Sequence, residues 1–475
     1  MLESSSLRAQ FTGETAAAKW WAELRATFAL SVPLVLSQLA TIAITATDVV
    51  MMGWLGPSFL AAGTLASSLF FPLNYLGVGV VSAVAPLAAQ AAGARDYRGV
   101  RRSVRQGLWV AVVLSALFAA ILWQSRAILI ALGQTEAMAA QAEIYLRIHL
   151  WGFAPVFWFI VLRCLITVHN RARAIAVVTL LAVGLNVLGN YALMFGNFGF
   201  PRLELAGAAI SSLVVESFMC LALLIYVSWS PEFRRYNLLV RLWRADWPRF
   251  LEIVRLGTPM GLTSLAETSM FAAAAILMGW LGTAELAAHA VALQCAATAF
   301  MIPLGISLAV TTRVGLAAGA DDRAGIGRAG WVGLGFGGLV MSISACVFWF
   351  AAPQIAGLFL DRTVPANLPV IEMAVSYLAV AAVFQLVDGA QVIGVGALRG
   401  LKDTKVPLVL AIAGYWGAGL PLALFLGFTL GWRGQGIWSG LAAGLAVVAA
   451  LAVWRFHRRE RWLPALAVAP APAVA

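Results

Sequence analysis

Met52-Gly53-Trp54-Leu55-Gly56 returns 226 residues later as Met278-Gly279-Trp280-Leu281-Gly282. The same shift, with no gap, sets Pro33 on Pro259 and lays Gly93, Asp96 and Gly99 on Gly319, Asp322 and Gly325. Identity between apolar stretches arises easily. A run containing tryptophan, held in register with proline, glycine and aspartate on both sides, marks an internal repeat.

The composition says what solvent the repeat lives in. Of 475 residues 62% are hydrophobic and 11% charged, and the mean hydropathy is +0.89. No single soluble core hides that much apolar surface. Apolar runs long enough to cross a bilayer fall at 28–52, 60–89, 106–124, 145–166, 174–195, 206–229, 253–279, 286–311, 330–352, 371–397, 408–429 and 434–454. They are too long, and too free of two-residue alternation, for the wall of a β-barrel. The first run exceeds the core of a cleavable signal and reads as a retained anchor. The expected fold is an all-α membrane protein of twelve transmembrane helices in two six-helix repeats. Six is even, so both halves enter the membrane in the same direction and are related by an axis along its normal.

Lys and Arg alternate between connections. Twenty-seven fall on one side, in groups such as Arg95 to Arg105 and Arg234 to Arg255, against five on the other: Arg126, Arg147, Arg202, Arg362 and Arg433. Basic loops stay inside, so both termini are expected in the cytoplasm. The segments then read as a cytoplasmic tail over 1–27, a first lobe over 28–229, a linker over 230–252, a second lobe over 253–454 and a tail over 455–475, disordered after Pro464. The formal charge of +11 belongs to these loops and not to a nucleic-acid-binding domain. Cys164, Cys220, Cys295 and Cys346 lack metal-like spacing and read as structural. No His-Glu-x-x-His, Gly-x-Ser-x-Gly or Walker phosphate loop is present, so an enzyme is not expected and no cofactor is implied.

Acidic side chains inside the spans are the chemical signal. A carboxylate at the bilayer centre costs at least about 2.5–3.5 kcal/mol, and persists where it faces a cavity, pairs or binds a cation. Asp48, Glu216, Glu267 and Asp388 sit deep, and no Lys or Arg is expected at the same depth. Thr263 and Ser264 share a helical face with Glu267, and Phe384, Gln385 and Gln391 lie around Asp388. Asn186 and Asn190 are four apart and so share a face that can meet Asp48. Glu216 has apolar or small neighbours in sequence and reads as structural. His289 reads as a packing or cap residue. Pro33 and Pro259 each remove a backbone hydrogen bond at equivalent places and are expected to bend their helices as hinges. Met260, Phe70, Phe71 and Phe384 are candidates to line a cavity for flat cations.

These features together resemble the multidrug and toxic compound extrusion (MATE) family, NorM-like branch, from Phe28 to Arg455. The resemblance rests on Asp48 ahead of Met52-Gly53-Trp54-Leu55-Gly56, Gly257-Thr258-Pro259 before Glu267, and Ala287-Ala288-His289 with Val291-Ala292-Leu293. Arg313-Val314-Gly315, Asp388 before Gly396-Ala397-Leu398-Arg399-Gly400, and Leu185-Asn186 with Asn190-Tyr191 extend it. It implies a V-shaped pair of lobes in a bacterial inner membrane, working as a monomer and exporting organic cations in exchange for Na⁺ or H⁺. It also implies a second-lobe cation site at Glu267 and Asp388 and a first-lobe site at Asp48, Asn186 and Asn190, with transported Na⁺ the only metal. Phe384 stands where some relatives carry tyrosine, which leaves the coupling ion open. The rival reading is a flippase for lipid-linked or polysaccharide precursors, which needs a cavity lined with Arg or Lys.

Overall fold

The computed structural model describes residues 15–238, 240 and 244–463. The expected disordered tail after Pro464, the N-terminal residues 1–14 and Arg241 of the basic linker lie outside the described residues. Among the described residues twelve helices are long and apolar enough to cross a membrane. They are α1 Ala16–Leu55, α2 Pro57–Gly93, α3 Tyr97–Leu122, α4 Glu136–Val168, α5 Ala172–Leu193 and α6 Glu204–Trp229 in the first half. The second half holds α7 Trp247–Leu281, α8 Thr283–Gly319, α9 Arg323–Phe350, α10 Pro365–Gly400, α11 Lys405–Thr429 and α12 Arg433–His457. No strand occurs among the described residues.

The repeated residues do repeated local work. Gly56 and Gly282 are the single residues between α1 and α2 and between α7 and α8, at φ 135° and 145°, a backbone that residues with a Cβ rarely adopt. Asp96 and Asp322 cap α3 and α9. Their carboxylates accept the backbone N–H of Gly99 at 2.9 Å and of Gly325 at 2.7 Å, which satisfies a donor the first helical turn leaves free.

The halves meet on the basic side, backbone against backbone. A Cβ at Gly79 would strike the Gly261 backbone, and one at Gly305 would strike Val35; a Cβ at Gly93 would strike the Leu316 carbonyl, and one at Gly319 the Gln90 carbonyl. Each contact becomes its partner under the 226-residue shift, so this closure obeys the pseudo-two-fold relation of the repeat. Gln90 Nε2 also donates to the Gly400 carbonyl at 2.9 Å, and Arg313 forks onto Glu23 at 2.6 and 2.8 Å. The basic-side part of α7 packs through Ile253 and Met260 into the first-half core, while Val35 of α1 packs onto a second-half core. Beyond this closure burial falls. Residues 41–50 of α1 and 264–269 of α7 are none of them fully buried, whereas the basic-side parts of both helices carry buried positions such as Leu30, Leu34, Ile253 and Met260.

One charge lies elsewhere than the sequence suggests. Arg163 is not in a loop but within α4, only 8% exposed, with Nη1 donating to Gln38 Oε1 at 3.1 Å. It lies about 7.5 Å of helix rise from the basic end, so a buried guanidinium exists, but near the basic surface. Both prolines sit inside unbroken helices.

Candidate functional site

Asp48 enters the first half from α1, and three helical neighbours reach it. Asn186 and Asn190, one turn apart on α5, each donate Nδ2 to Oδ1, at 2.8 and 2.7 Å. Ser212 on α6 donates to Oδ2 at 3.2 Å. Both asparagines are fully buried, and their carbonyl oxygens have no hydrogen-bond partner. The three donors are neutral, so they hold the carboxylate without cancelling its charge.

Glu216 lies one turn beyond Ser212 on α6 and is within electrostatic reach of Asp48. Its Oε1 is 3.8 Å from His149 Nε2 on α4, and its Oε2 has no partner. Gly152 lies beneath it, where a Cβ would strike Oε2. The sequence reading gave Glu216 no polar partner because the partner comes from another helix. Tyr145, one turn before His149, also faces both carboxylates.

The second half repeats the theme with different residues. Asp388 on α10 is 3% exposed and interacts electrostatically with Glu267 on α7. Gln391, one turn on, donates Nε2 to the Tyr415 hydroxyl of α11 at 2.8 Å. Thr263 and Ser264 spend their hydroxyl protons on their own helix, at the carbonyls of Pro259 (2.7 Å) and Met260 (3.4 Å). None of the four carboxylates is in a salt bridge with Lys or Arg among the described residues. Arg399, near the basic end of α10, is within electrostatic range of Glu267.

Deeper toward the other face, Gln385, His289 and Trp438 are fully buried, and five of their nitrogen and oxygen atoms have no hydrogen-bond partner. An unmet buried polar atom costs about 1–3 kcal/mol. Five of them, left dry, approach the whole stability of an ordinary domain, about 5–15 kcal/mol. His289 packs on Trp438 at 5.5 Å with neither ring nitrogen hydrogen-bonded among the described residues.

The apolar cavity candidates divide. Phe70 stacks on Phe153 at 4.5 Å and touches His149 at 4.2 Å; Phe384 packs on Phe271 and Trp438; Met260 belongs to the first-half core. All three are buried and serve packing, because helix spacing does not say which apolar face looks into a cleft. Phe71 alone is half-buried. Ser212, His149, Tyr145, Tyr415 and Trp438 escaped the sequence reading. The four-residue spacing of Ser212 with Glu216, and of Tyr145 with His149, was the available signal.

Twelve spans in two repeated halves, each with a pair of carboxylates set within its membrane-spanning helices, define a polytopic transporter and not an enzyme. The sequence model of the MatE family matches residues 33–192 and 259–425, and the chain belongs to that family of MATE transporters. It is 46% identical over 450 residues to the "Probable multidrug resistance protein NorM" of Mesorhizobium japonicum, covering 94% of this chain and 96% of that protein. It is 44% identical over 442 residues to the protein of the same name in Rhizobium meliloti, covering 93% and 95%. Among solved structures, a Vibrio cholerae MATE transporter superposes with a TM-score of 0.85 at 18% identity, over 93% of this chain and 98% of that one. A MOP superfamily transporter from Pyrococcus furiosus, described as having a binding pocket of reverse polarity that suggests a different function, superposes at 0.82 with 20% identity, over 93% and 97%. The fold alone therefore does not fix the cargo.

Proposed function

We propose that this MATE transporter is a multidrug efflux antiporter that exports small organic cations in exchange for inward Na⁺ or H⁺. The observation that carries the reading is the two pairs of carboxylates within the spans, Asp48 with Glu216 and Asp388 with Glu267, of which Asp388 is buried and the others partly so, with no Lys or Arg among the described residues bonded to any of them. An anionic interior attracts cations and resists a lipid pyrophosphate, which argues against the flippase. The names of the NorM relatives support the same cargo class.

In this reading Glu267 and Asp388, with Gln385 and Gln391, form the second-lobe cation site, and Asp48 with Asn186, Asn190 and Ser212 the first-lobe site. Thr263 and Ser264 offer only hydroxyl lone pairs. Phe71, half-buried on α2, is the retained aromatic contact for the cargo. The lobes span 28–229 and 253–454 and are joined by 230–252. They rock about Pro33 and Pro259 in a single chain, with both termini cytoplasmic in a bacterial inner membrane. The closed basic side, with the less buried outer parts of α1 and α7, then fits the outward-open state of an alternating-access cycle. One inward charge at 100 mV supplies about 2.3 kcal/mol, a cargo gradient of about 50-fold, so one or two ions suffice.

Asp388→Asn, reconstituted and loaded with ethidium, should lose most of its efflux under whichever of an imposed Na⁺ or pH gradient drives the unmodified protein. Undiminished efflux would remove Asp388 from the mechanism, and the choice of driving gradient identifies the coupling ion.

A further inference from the structure

Polar groups of the second half recur at successive levels of α8, α10 and α12, from the outer end inward. At that end Arg433, at the start of α12, donates to Glu285, at the start of α8, and the Tyr377 hydroxyl of α10 lies where a Cβ on Gly434 would fall. One turn deeper on α8 comes His289, its ring 5.5 Å from that of Trp438 on α12. Trp438 meets Phe384 of α10 edge-on at 5.6 Å, and Gln385, the next residue of α10, sits at the same level of that helix on a neighbouring face. Three residues further, about one helical turn, is Asp388. Both ring nitrogens of His289, both amide atoms of Gln385 and Nε1 of Trp438 have no hydrogen-bond partner among the described residues, and all three side chains are at most 1% exposed.

Groups of this kind, this deep, are met by water. The donor set also selects what else travels there. Trp Nε1 only donates, the Gln amide offers one oxygen, and a neutral imidazole offers one donor and one acceptor. Na⁺ takes oxygen ligands, as hard cations do, and finds too few here. A chain of waters finds both donors and acceptors.

We infer that the outer half of the second lobe holds a hydrated column that carries protons from the outer face to Asp388, with His289 as its relay. This rests on the antiport reading above and assigns the second-lobe site its ion. A proton taken up at one ring nitrogen of His289 is matched by one released from the other, so the ring returns to neutral and the carboxylate of Asp388 gains the proton. The ionisable groups facing the column are Glu285 on α8, Arg433 on α12, and Tyr377 and Asp388 on α10; Glu267 on α7 and Tyr415 on α11 lie at its inner end.

The test has two arms. In lipid nanodiscs, radiolytic hydroxyl-radical footprinting should label Trp438, although it is fully buried, and leave Phe157, equally buried among Phe118 and Phe153, unlabelled. An unlabelled Trp438 overturns the column, whatever the transport result. In proteoliposomes, His289→Phe should lower ethidium efflux driven by a pH gradient about tenfold while leaving ethidium affinity in detergent unchanged. His289→Gln, which still hydrogen-bonds water but cannot relay a proton, should keep the Trp438 label and show the same slow efflux. Wild-type rates in either variant overturn the relay. So does a native protein that exports ethidium under a Na⁺ gradient and not under a pH gradient, a result that leaves antiport itself standing. Failure of the native protein to move ethidium under either gradient sinks the antiport reading, and the footprint still decides the column.

Discussion

A buried carboxylate in an apolar bundle keeps its geometry only if every neighbour leaves room for it. Gly152 does this for Glu216, since any side chain there would occupy the position of Oε2. Gly152→Ala should cost about 1–3 kcal/mol through overpacking, read as a lower melting temperature in detergent. Glu216→Ala empties the same space, so the double variant should recover most of that loss, a coupling that a double-mutant cycle reports directly. Simple additivity of the two changes would mean that Gly152 and Glu216 do not share the space. Asp48 depends on its neighbours differently. Its three neutral donors orient the carboxylate, and a hydrogen bond to a charged group contributes about 1.5–3 kcal/mol. Asn190→Leu should therefore weaken ethidium efflux while leaving the helix that carries it intact, and unchanged efflux would place Asn190 outside the site.

Helix ends show which parts of the fold the sequence encodes openly. Asp246 caps α7, accepting the Arg249 N–H at 3.3 Å, and pairs with Arg102 of α3. The Arg102 guanidinium holds the Asp246 carboxyl below its ordinary value of 3.8. Because the folded value lies below the unfolded one, the stabilisation is present above pH 3.8 and is lost as pH falls through the folded value. Asp246→Asn keeps a good cap and removes only the charge. The variant should melt earlier than the parent at pH 7 by a margin of about 0.5–1 kcal/mol, and the gap should close as pH falls through the depressed folded value. A gap that persists in acid would assign the effect to the cap. The apolar runs were legible because each is local, and the repeat picked out Gly56, Gly282, Asp96 and Asp322 as matched positions, but not that the glycines separate helices or that the aspartates cap them. Helix lengths were not legible either. α1 begins at Ala16 instead of 28, since its first turns lie outside the apolar run and are stabilised by contacts such as Glu23 with Arg313. Partners across helices were also hidden: spacing puts Asn186 and Asn190 on one face, but only packing brings Ser212, His149 and Tyr415 to the acids. The carboxylates themselves were legible because their cost in a bilayer is a property of the residue alone.

At the scale of the whole molecule, the symmetric closure on the basic side makes a claim about motion. The Gly79 contact with Gly261 and the Gly305 contact with Val35 are one contact written twice, so a wedge at either glycine should open the closure in the same sense. Gly79→Leu or Gly305→Leu introduces a clash of about 1–3 kcal/mol, which shifts a two-state equilibrium by about 5- to 150-fold. If the lobes rock as bodies, prying the basic side apart draws the other ends of α1 and α7 together. Trp54 and Trp280 end those helices at repeat-related positions, each 70% exposed, and mark that distance. With exposed Cys346 replaced by serine, spin labels on Trp54→Cys and Trp280→Cys should report a shorter separation in both wedge variants than in the parent, by matching amounts. An unchanged separation would mean that the halves flex within themselves, and the two-lobe rocking assigned to Pro33 and Pro259 would have to be abandoned. A shift in only one variant would mean that the symmetry of the contacts is not a symmetry of the motion.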